Sequence, residues 1–73
     1  ALSEIAVDAM FTSRETEVFA LLAQGKNKRA ISRDLVLSEN TIKTHIAKIY
    51  QKLDIHSQQE LIDLLERESG VEE

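Results

Sequence analysis

The 73-residue sequence contains no cysteine and no proline, and its only glycines are Gly25 and Gly70. The absence of cysteine excludes a disulfide framework and a thiolate metal site. With no proline to interrupt helices and no strand-like alternation of β-branched and aromatic residues, the composition indicates helices. No apolar run approaches the roughly 18 residues of a membrane-spanning helix. We therefore predict one small all-α domain.

The first ten residues contain Glu4 and Asp8 but no basic residue, unlike the cationic start of a secretory signal peptide. With no cysteine and no spanning segment, we expect a cytoplasmic location. The chain begins with alanine rather than methionine, from which we expect a piece of a longer protein. We expect residues 1–10 to be a linker or N-terminal extension, 11–68 the domain and 69–73 a frayed acidic tail.

Charge is distributed unevenly in this chain, whose formal net charge is −4. From Lys26 to Lys52 there are seven basic residues and two acidic ones, whereas the remainder holds two basic and eleven acidic residues. A basic block within an acidic chain is typical of a surface that contacts an anionic partner such as nucleic acid.

Capping signals and apolar spacing predict four helices. Thr12 and Glu15 form a predicted capping box for the first helix, and Gly25 is its predicted stop. Phe11, directly before that box, is placed to pack on the next turn as a hydrophobic staple. Asn27 is a predicted N-cap for a second, short helix.

The third helix is predicted to begin after Ser38 and to run from about residue 39 to residue 53. A second capping box, Ser57 with Glu60, is predicted to open the fourth helix. The short second helix, a joint of about three residues and the longer basic third helix form a helix-turn-helix arrangement at about 27–53. The prediction is a four-helix bundle that contains this motif.

The third helix has two different sides when its residues are placed about 100° apart. One side is a narrow apolar stripe of Ile42, Ile46, Ile49 and Leu53. The other side carries no acid, and we call it the polar face; it consists of Asn40, Lys43, Thr44, Ala47, Lys48 and Gln51. The stripe is expected to be buried and the polar face to be exposed.

The polar face has the chemistry of a helix that reads base edges in the major groove of DNA. Lys43 and Lys48 can donate hydrogen bonds to guanine acceptors or to phosphates. Asn40 and Gln51 suit adenine, and the methyl group of Thr44 suits thymine. An ordinary solvated face usually mixes charges of both signs. The absence of acids therefore favours contact with double-stranded DNA.

Two segments resemble the LuxR/GerE/NarL family of bacterial transcriptional regulators. Residues 11–18 (FTSRETEV) and 21–25 (LLAQG) are similar to the opening of the family domain. Residues 41–45 (TIKTH), with Ile49 and the pair at 52–53, match its recognition-helix signature. The resemblance covers residues 11–66. It implies sequence-specific DNA binding by a dimer, with the third helix in the major groove, in a response-regulator-like protein.

The resemblance also implies roles for individual residues. Lys43 and Thr44 lie where the family contacts bases and nearby phosphates. Ala47 lies where relatives often have a basic or polar residue that reaches bases. Thr41 and Lys52 match positions that contact the DNA backbone. Lys28 and Arg29 lie at the start of the second helix, where N–H groups and cations can hold a phosphate. With the polar face, the full set of expected DNA-binding residues is Lys28, Arg29, Asn40, Thr41, Lys43, Thr44, Ala47, Lys48, Gln51 and Lys52.

The fourth helix has a wider apolar side than one core contact needs. Its apolar residues span about 160°, whereas a stripe of about 100° is enough for docking on one core; they are Leu61, Ile62, Leu64 and Leu65. The resemblance implies that the surplus is a homodimer contact, expected at Leu61, Leu64 and Leu65, with Leu64 the most exposed. Core packing alone remains the other interpretation.

Three residues depart from the family pattern. The family usually has glutamate in place of Ala30, so the second helix lacks a capping-box partner, and it usually has alanine in place of Ser32. It commonly has arginine in place of Gln58, which removes a charge that is able to tie helices together.

Neither histidine indicates a metal site, since His45 and His56 lie eleven residues apart without suitably spaced acids. His45 lies at the edge of the apolar stripe, and two interpretations stay open: a packed, hydrogen-bonded side chain or a phosphate contact. No catalytic constellation or phosphate-binding loop is present. We therefore expect no enzymatic activity, no cofactor and no small-molecule ligand for this domain.

Two other functions share some of these features. One is a helical protein-interaction or dimerisation module with weak DNA affinity, which the acidic balance and Ala47 favour. The other is a promoter-binding module similar to a sigma factor. RNA polymerase therefore stays open as a partner. Duplex binding that weakens steeply with salt distinguishes DNA binding from the interaction module.

Overall fold

A computed structural model describes residues 10–70, which form four helices and no strand. The helices are α1 (Ser13–Ala23), α2 (Lys28–Leu35), α3 (Glu39–Leu53) and α4 (Gln58–Gly70). The predicted all-α fold with a helix-turn-helix in α2 and α3 is confirmed. The predicted N-terminal extension lies outside the described residues except for Met10. Of the predicted tail (69–73), residues 69 and 70 belong to α4, and residues 71–73 lie outside the description.

Side-chain caps fix where the first three helices begin. The capping box of α1 is complete, because the Thr12 hydroxyl accepts from the Glu15 backbone N–H (3.1 Å) and the Glu15 carboxylate accepts from the Thr12 N–H (3.0 Å). Asn27 caps α2 by accepting from the Ala30 N–H at 2.9 Å. Ser38 caps α3 in the same way. These three predicted starts are confirmed.

The cap of α4 differs from its prediction on one side. The Ser57 hydroxyl accepts from the Glu60 N–H at 3.2 Å, as expected. The Glu60 carboxylate, however, accepts from the N–H of His56 at 2.5 Å rather than from that of Ser57. The chain bends at Ser57, so that the preceding N–H faces the first turn of the helix.

Three helices are followed by a residue in the left-handed backbone conformation. Gly25 (φ 88°) follows α1, Val36 (φ 55°) follows α2 and Asp54 (φ 56°) follows α3. At each end a backbone N–H bridges five residues back, as from Lys26 to the Leu21 carbonyl. This pattern satisfies carbonyls that the helix leaves free. Glycine marks only the first of these ends in the sequence.

All four helices contribute to one apolar core, in which α1 contacts each of the others. The fully buried apolar residues are Val18, Phe19, Leu22, Ile31, Ile42, Ile49 and Leu61. In the α3 stripe, Ile42 and Ile49 are buried but Ile46 and Leu53 are only partly buried. The stripe is thus narrower than the sequence predicts.

Phe11 packs on the core rather than on the first turn after the cap. Its ring meets that of Phe19 edge to face, with centroids 5.2 Å apart. Phe11 therefore packs on a residue two turns into α1 rather than on the next turn, because Phe19 offers an aromatic partner there.

The left-handed ends of α1 and α2 give opposite stability predictions. A Cβ at Gly25 would meet no atom within 4 Å, so Gly25→Ala should lose about 1 kcal/mol through backbone strain alone. Val36 is 88% exposed, so Val36→Gly should remove strain without losing packing and gain about 0.5 kcal/mol. Urea denaturation followed by circular dichroism measures both changes. Equal stability of Gly25→Ala and the parent would contradict the strain argument.

Candidate nucleic-acid interface

The polar face of α3 is open to solvent along its whole length. All six of its residues are exposed, while Ile42 and Ile49 on the other side are fully buried. Neither Lys43 nor Lys48 forms an ion pair within the part of the chain that the structure describes. The capped start of α3 and its buried stripe thus hold two free ammonium groups toward solvent.

Two threonines near the start of α3 have their hydroxyl groups occupied by the chain. The Thr44 hydroxyl donates to the Asn40 carbonyl at 3.1 Å. The Thr41 hydroxyl lies 2.9 Å from that of Ser38. Because the Thr44 hydroxyl is turned onto the helix backbone, its methyl group is what the side chain presents to a partner.

An open groove of about 440 Å³ separates the start of α2 from the polar face. Basic residues stand on both sides, with Lys28 on α2 and Lys43 on α3. Lys26 also borders the groove, but its ammonium group pairs with Asp34 at 2.5 Å. Lys28 and its neighbour Arg29 are exposed. The structure therefore places Lys28 and Lys43 at opposite borders of the same groove.

Lys52, which was expected to contact the DNA backbone, pairs with a buried acid of the domain. Its ammonium group contacts the Glu15 carboxylate at 2.5 Å and donates to the Met10 carbonyl at 3.1 Å. It also lies 5.9 Å from the centre of the Phe11 ring. Glu15 is only 3% exposed, so its charge must be paired inside the fold. Lys52 therefore stabilises the contact between α1 and α3.

Glu15 remains ionised because of this contact. The hydrogen bond from Lys52 lowers the pKa of Glu15 most, and the Thr12 backbone N–H lowers it further. Burial acts in the opposite direction but is outweighed. Local sequence pattern indicates only the capping-box role of Glu15, because no such pattern links residues 37 positions apart.

Comparison with known proteins agrees with this geometry. The sequence matches the family described as bacterial regulatory proteins, luxR family, over residues 9–65. The chain belongs to the LuxR family. Its helix-turn-helix is therefore that of a DNA-binding domain of bacterial transcriptional regulators, as the sequence resemblance implied.

Individual relatives support the same assignment. The chain is 43% identical over 60 residues to the uncharacterized response regulatory protein YgeK of Escherichia coli (strain K12), covering 82% of the chain and 41% of that protein. It is 40% identical over 57 residues to the spore germination protein GerE of Bacillus subtilis (strain 168), covering 77% of each. It is 43% identical over 44 residues to the transcriptional regulatory protein LiaR of the same strain, covering 60% of the chain and 21% of LiaR.

The chain thus spans about two fifths of YgeK and about a fifth of LiaR, but three quarters of GerE. No solved structure matches it. Within the described residues, no helix is long and apolar enough to cross a membrane, and no cluster of three or more histidines and acids is placed to hold a metal ion.

Two of the three departures from the LuxR-family pattern, Gln58 and Ser32, have local explanations. The Gln58 amide donates to the carbonyls of Leu22 (3.0 Å) and Lys26 (2.9 Å) and thereby joins α4 to the end of α1. A neutral amide is sufficient for this contact, since both acceptors are backbone carbonyls. The Ser32 hydroxyl donates to the Leu37 carbonyl at 2.5 Å and closes the turn of the helix-turn-helix.

The fourth helix divides its leucines between the core and the surface. Leu61 is fully buried, and Leu65 is packed against the core. Leu61 was expected in the dimer contact, but its burial leaves no side-chain surface for a partner. Leu64 is half-buried and borders a shallow depression with Leu53 and Ile55.

His45 lies where the sequence placed it, at the edge of the core, and is half-buried. Its Nδ1 atom is buried and has no hydrogen-bond partner within the described residues. Within the described residues, the packed interpretation thus finds no hydrogen bond at this nitrogen. The His56 side chain is 86% exposed and lies 3.8 Å from Glu60.

The ion pair between Glu15 and Lys52 predicts unequal effects of removing either partner. Lys52→Met leaves the carboxylate buried without its cation and should destabilise the domain by about 3 kcal/mol. Glu15→Gln leaves an ammonium group that is one-third exposed, so the loss should be smaller, about 1–2 kcal/mol. Urea denaturation of both variants and of the double variant measures the coupling. Additive losses would show that the two groups do not interact.

The lowered pKa of Glu15 also predicts a pH effect. Its contribution to stability is fully present above the ordinary pKa of glutamate and is lost as the pH falls through the lowered, folded-state pKa. Stability should therefore decline less in Glu15→Gln than in the parent between neutral pH and about pH 3. Thermal melts across this range test the expectation, and parallel declines in both proteins would refute it.

Proposed function

We propose that this LuxR-family domain binds duplex DNA sequence-specifically, with α3 in the major groove. The observation that carries the proposal is the exposed, acid-free polar face on a helix whose opposite side is buried. Lys43 and Lys48 supply cationic donors for guanine or phosphate. Ala47 offers only a small apolar contact, which lets α3 approach the groove floor closely but reads few base atoms.

Residues outside the polar face are proposed to hold the DNA backbone. Lys28 and Arg29 are exposed at the start of α2, where cations and free N–H groups favour a phosphate. Thr41 is exposed in the first turn of α3. Lys52 is left out of this set, because Glu15 already neutralises its charge. Binding of this kind should weaken steeply as salt is raised.

A two-fold dimer through α4 is the proposed assembly. The apolar surface around Leu64, with Leu53 and Ile55, is bordered by the acids Asp54, Glu60 and Asp63 and by one cation, Arg67. Across a two-fold axis these acids would face one another, and their repulsion would weaken dimerisation without DNA. Two adjacent half-sites on one duplex would favour the dimer by holding two domains at a high effective concentration. Leu65, the next residue of α4, packs against the core and stays a secondary candidate.

The domain is proposed to act as the DNA-binding part, about residues 11–68, of a longer cytoplasmic transcriptional regulator. The relatives named as response regulatory or transcriptional regulatory proteins support this role. We propose a binding function without catalysis. RNA polymerase is a candidate partner of the assembled regulator.

Lys43→Ala tests the orientation of α3. The variant should lose about 1–3 kcal/mol of affinity for a selected operator and relax base preference at one position. Arg14→Ala is the matched control, since it removes an equal charge that pairs with Glu17 on α1. Gel shifts on an operator selected from random duplexes measure both. Equal affinity of Lys43→Ala and the parent would contradict the proposed orientation.

Leu64→Glu tests the dimer surface. The variant should stay folded and keep its affinity for one half-site, but lose cooperative filling of a second half-site. Ile62→Glu is the control, because it places the same charge about 160° away around α4. Sedimentation without DNA and gel shifts on one- and two-half-site duplexes measure the effect. Unchanged cooperativity in Leu64→Glu excludes this surface, whereas loss of folding assigns Leu64 to the core.

A further inference from the structure

The imidazole of His45 is asymmetric in its surroundings. Nδ1 is buried without a hydrogen-bond partner, and it is the one buried side-chain nitrogen or oxygen in this condition among the described residues. The residue as a whole is half-buried. The Nδ1 edge of the ring is therefore shielded from solvent, while the residue as a whole remains partly accessible.

This asymmetry selects a tautomer. A neutral imidazole carries one N–H, and the other nitrogen is an acceptor. An N–H placed on Nδ1 would be a buried donor without an acceptor, which is a rare and costly arrangement. An N–H on Nε2 leaves only a lone pair on the buried side and keeps the donor at the accessible edge. The packing thus directs a donor outward from α3.

The accessible edge of His45 lies beside residues already proposed to contact DNA. Thr41 is four residues before His45 and Lys48 is three residues after it, so all three lie along one edge of α3. Thr41 and Lys48 are both exposed. A DNA strand that passes this edge would bring phosphate oxygens, which are strong acceptors, near Nε2.

We propose that His45 is held as the Nε2–H tautomer by its buried Nδ1 and donates a hydrogen bond from Nε2 to a DNA phosphate. This proposal rests on the proposed function of α3. His45 is then a phosphate-positioning residue that carries no net charge. It fixes the placement of α3 in the groove without adding to the salt dependence of binding.

The tautomer is tested on the free domain, without DNA. Two-bond proton–nitrogen correlation spectra of the ¹⁵N-labelled protein at neutral pH show which imidazole nitrogen is protonated. The expected result is a protonated Nε2 and an unprotonated Nδ1 for His45. His56, which is mostly exposed, is the internal reference for a ring in solvent. A protonated Nδ1 in His45 would overturn the proposal.

The phosphate contact is tested with two amide variants. The side-chain nitrogen of Gln lies near the position of Nε2, and that of Asn lies near the position of Nδ1. His45→Gln should bind duplex DNA within about twofold of the parent, whereas His45→Asn should lose about tenfold, the value of a hydrogen bond to a charged acceptor. The loss should be equal on operator and random duplex, because phosphates carry no sequence information.

Salt titration separates this contact from a charged one. The slope of log affinity against log salt should be the same in His45→Asn and the parent, while Lys48→Ala should reduce it by about 0.9. Equal affinity of His45→Asn and the parent, or a slope reduced by about one, would overturn the proposal. If His45→Asn is poorly folded, its reduced duplex binding does not decide the question and His45→Gln becomes the deciding variant. A tenfold loss of duplex affinity in His45→Gln would also overturn the proposal. Absence of any duplex binding by the parent would reject the proposed function as well.

Discussion

The buried carboxylate of Glu15 and the ammonium group of Lys52 join the first turn of α1 to the last turn of α3. The same carboxylate caps α1, and the same ammonium group holds the Met10 carbonyl. Because Glu15 is almost completely buried, its charge is tolerated only while Lys52 is in place. The contact therefore ties the position of α3 to that of the most connected helix of the domain.

The rotation of α3 about its own axis follows from this contact together with the core. Ile42 and Ile49 anchor one line along the helix, and Lys52 anchors a second line about 80° away. With two lines fixed, the polar face has to point to solvent. The lysines that remain free, Lys43 and Lys48, lie on that face. The fold thus uses one lysine of α3 for its own stability and leaves two for a partner.

The acidic balance of the whole chain is compatible with this arrangement. The acids of α4 border the depression beside Leu64, whereas the polar face contains none. Separation of charge lets a chain with a net charge of −4 present a locally positive surface to DNA. In the proposed function it would also limit non-specific binding, since the acids of α4 repel phosphates.

Local patterns in the sequence predicted most of the fold, because caps and apolar spacing act within one turn. The starts of α1, α2 and α3 and the exposure of the polar face followed from such patterns. Contacts between distant residues did not, as Lys52 and Gln58 show: each binds a partner more than 30 positions away. The left-handed conformation of Val36 was also missed, because no glycine marks it.

The central claim is that the exposed polar face of α3 contacts DNA, and an NMR titration tests it most directly. The ¹⁵N-labelled domain is titrated with a short duplex that carries a single half-site, so that dimer contacts do not contribute. We expect the largest changes in amide shifts at Lys43, Thr44, Ala47 and Lys48, with Leu64 unchanged. Changes that cluster on α4 and leave α3 unaffected would contradict the account.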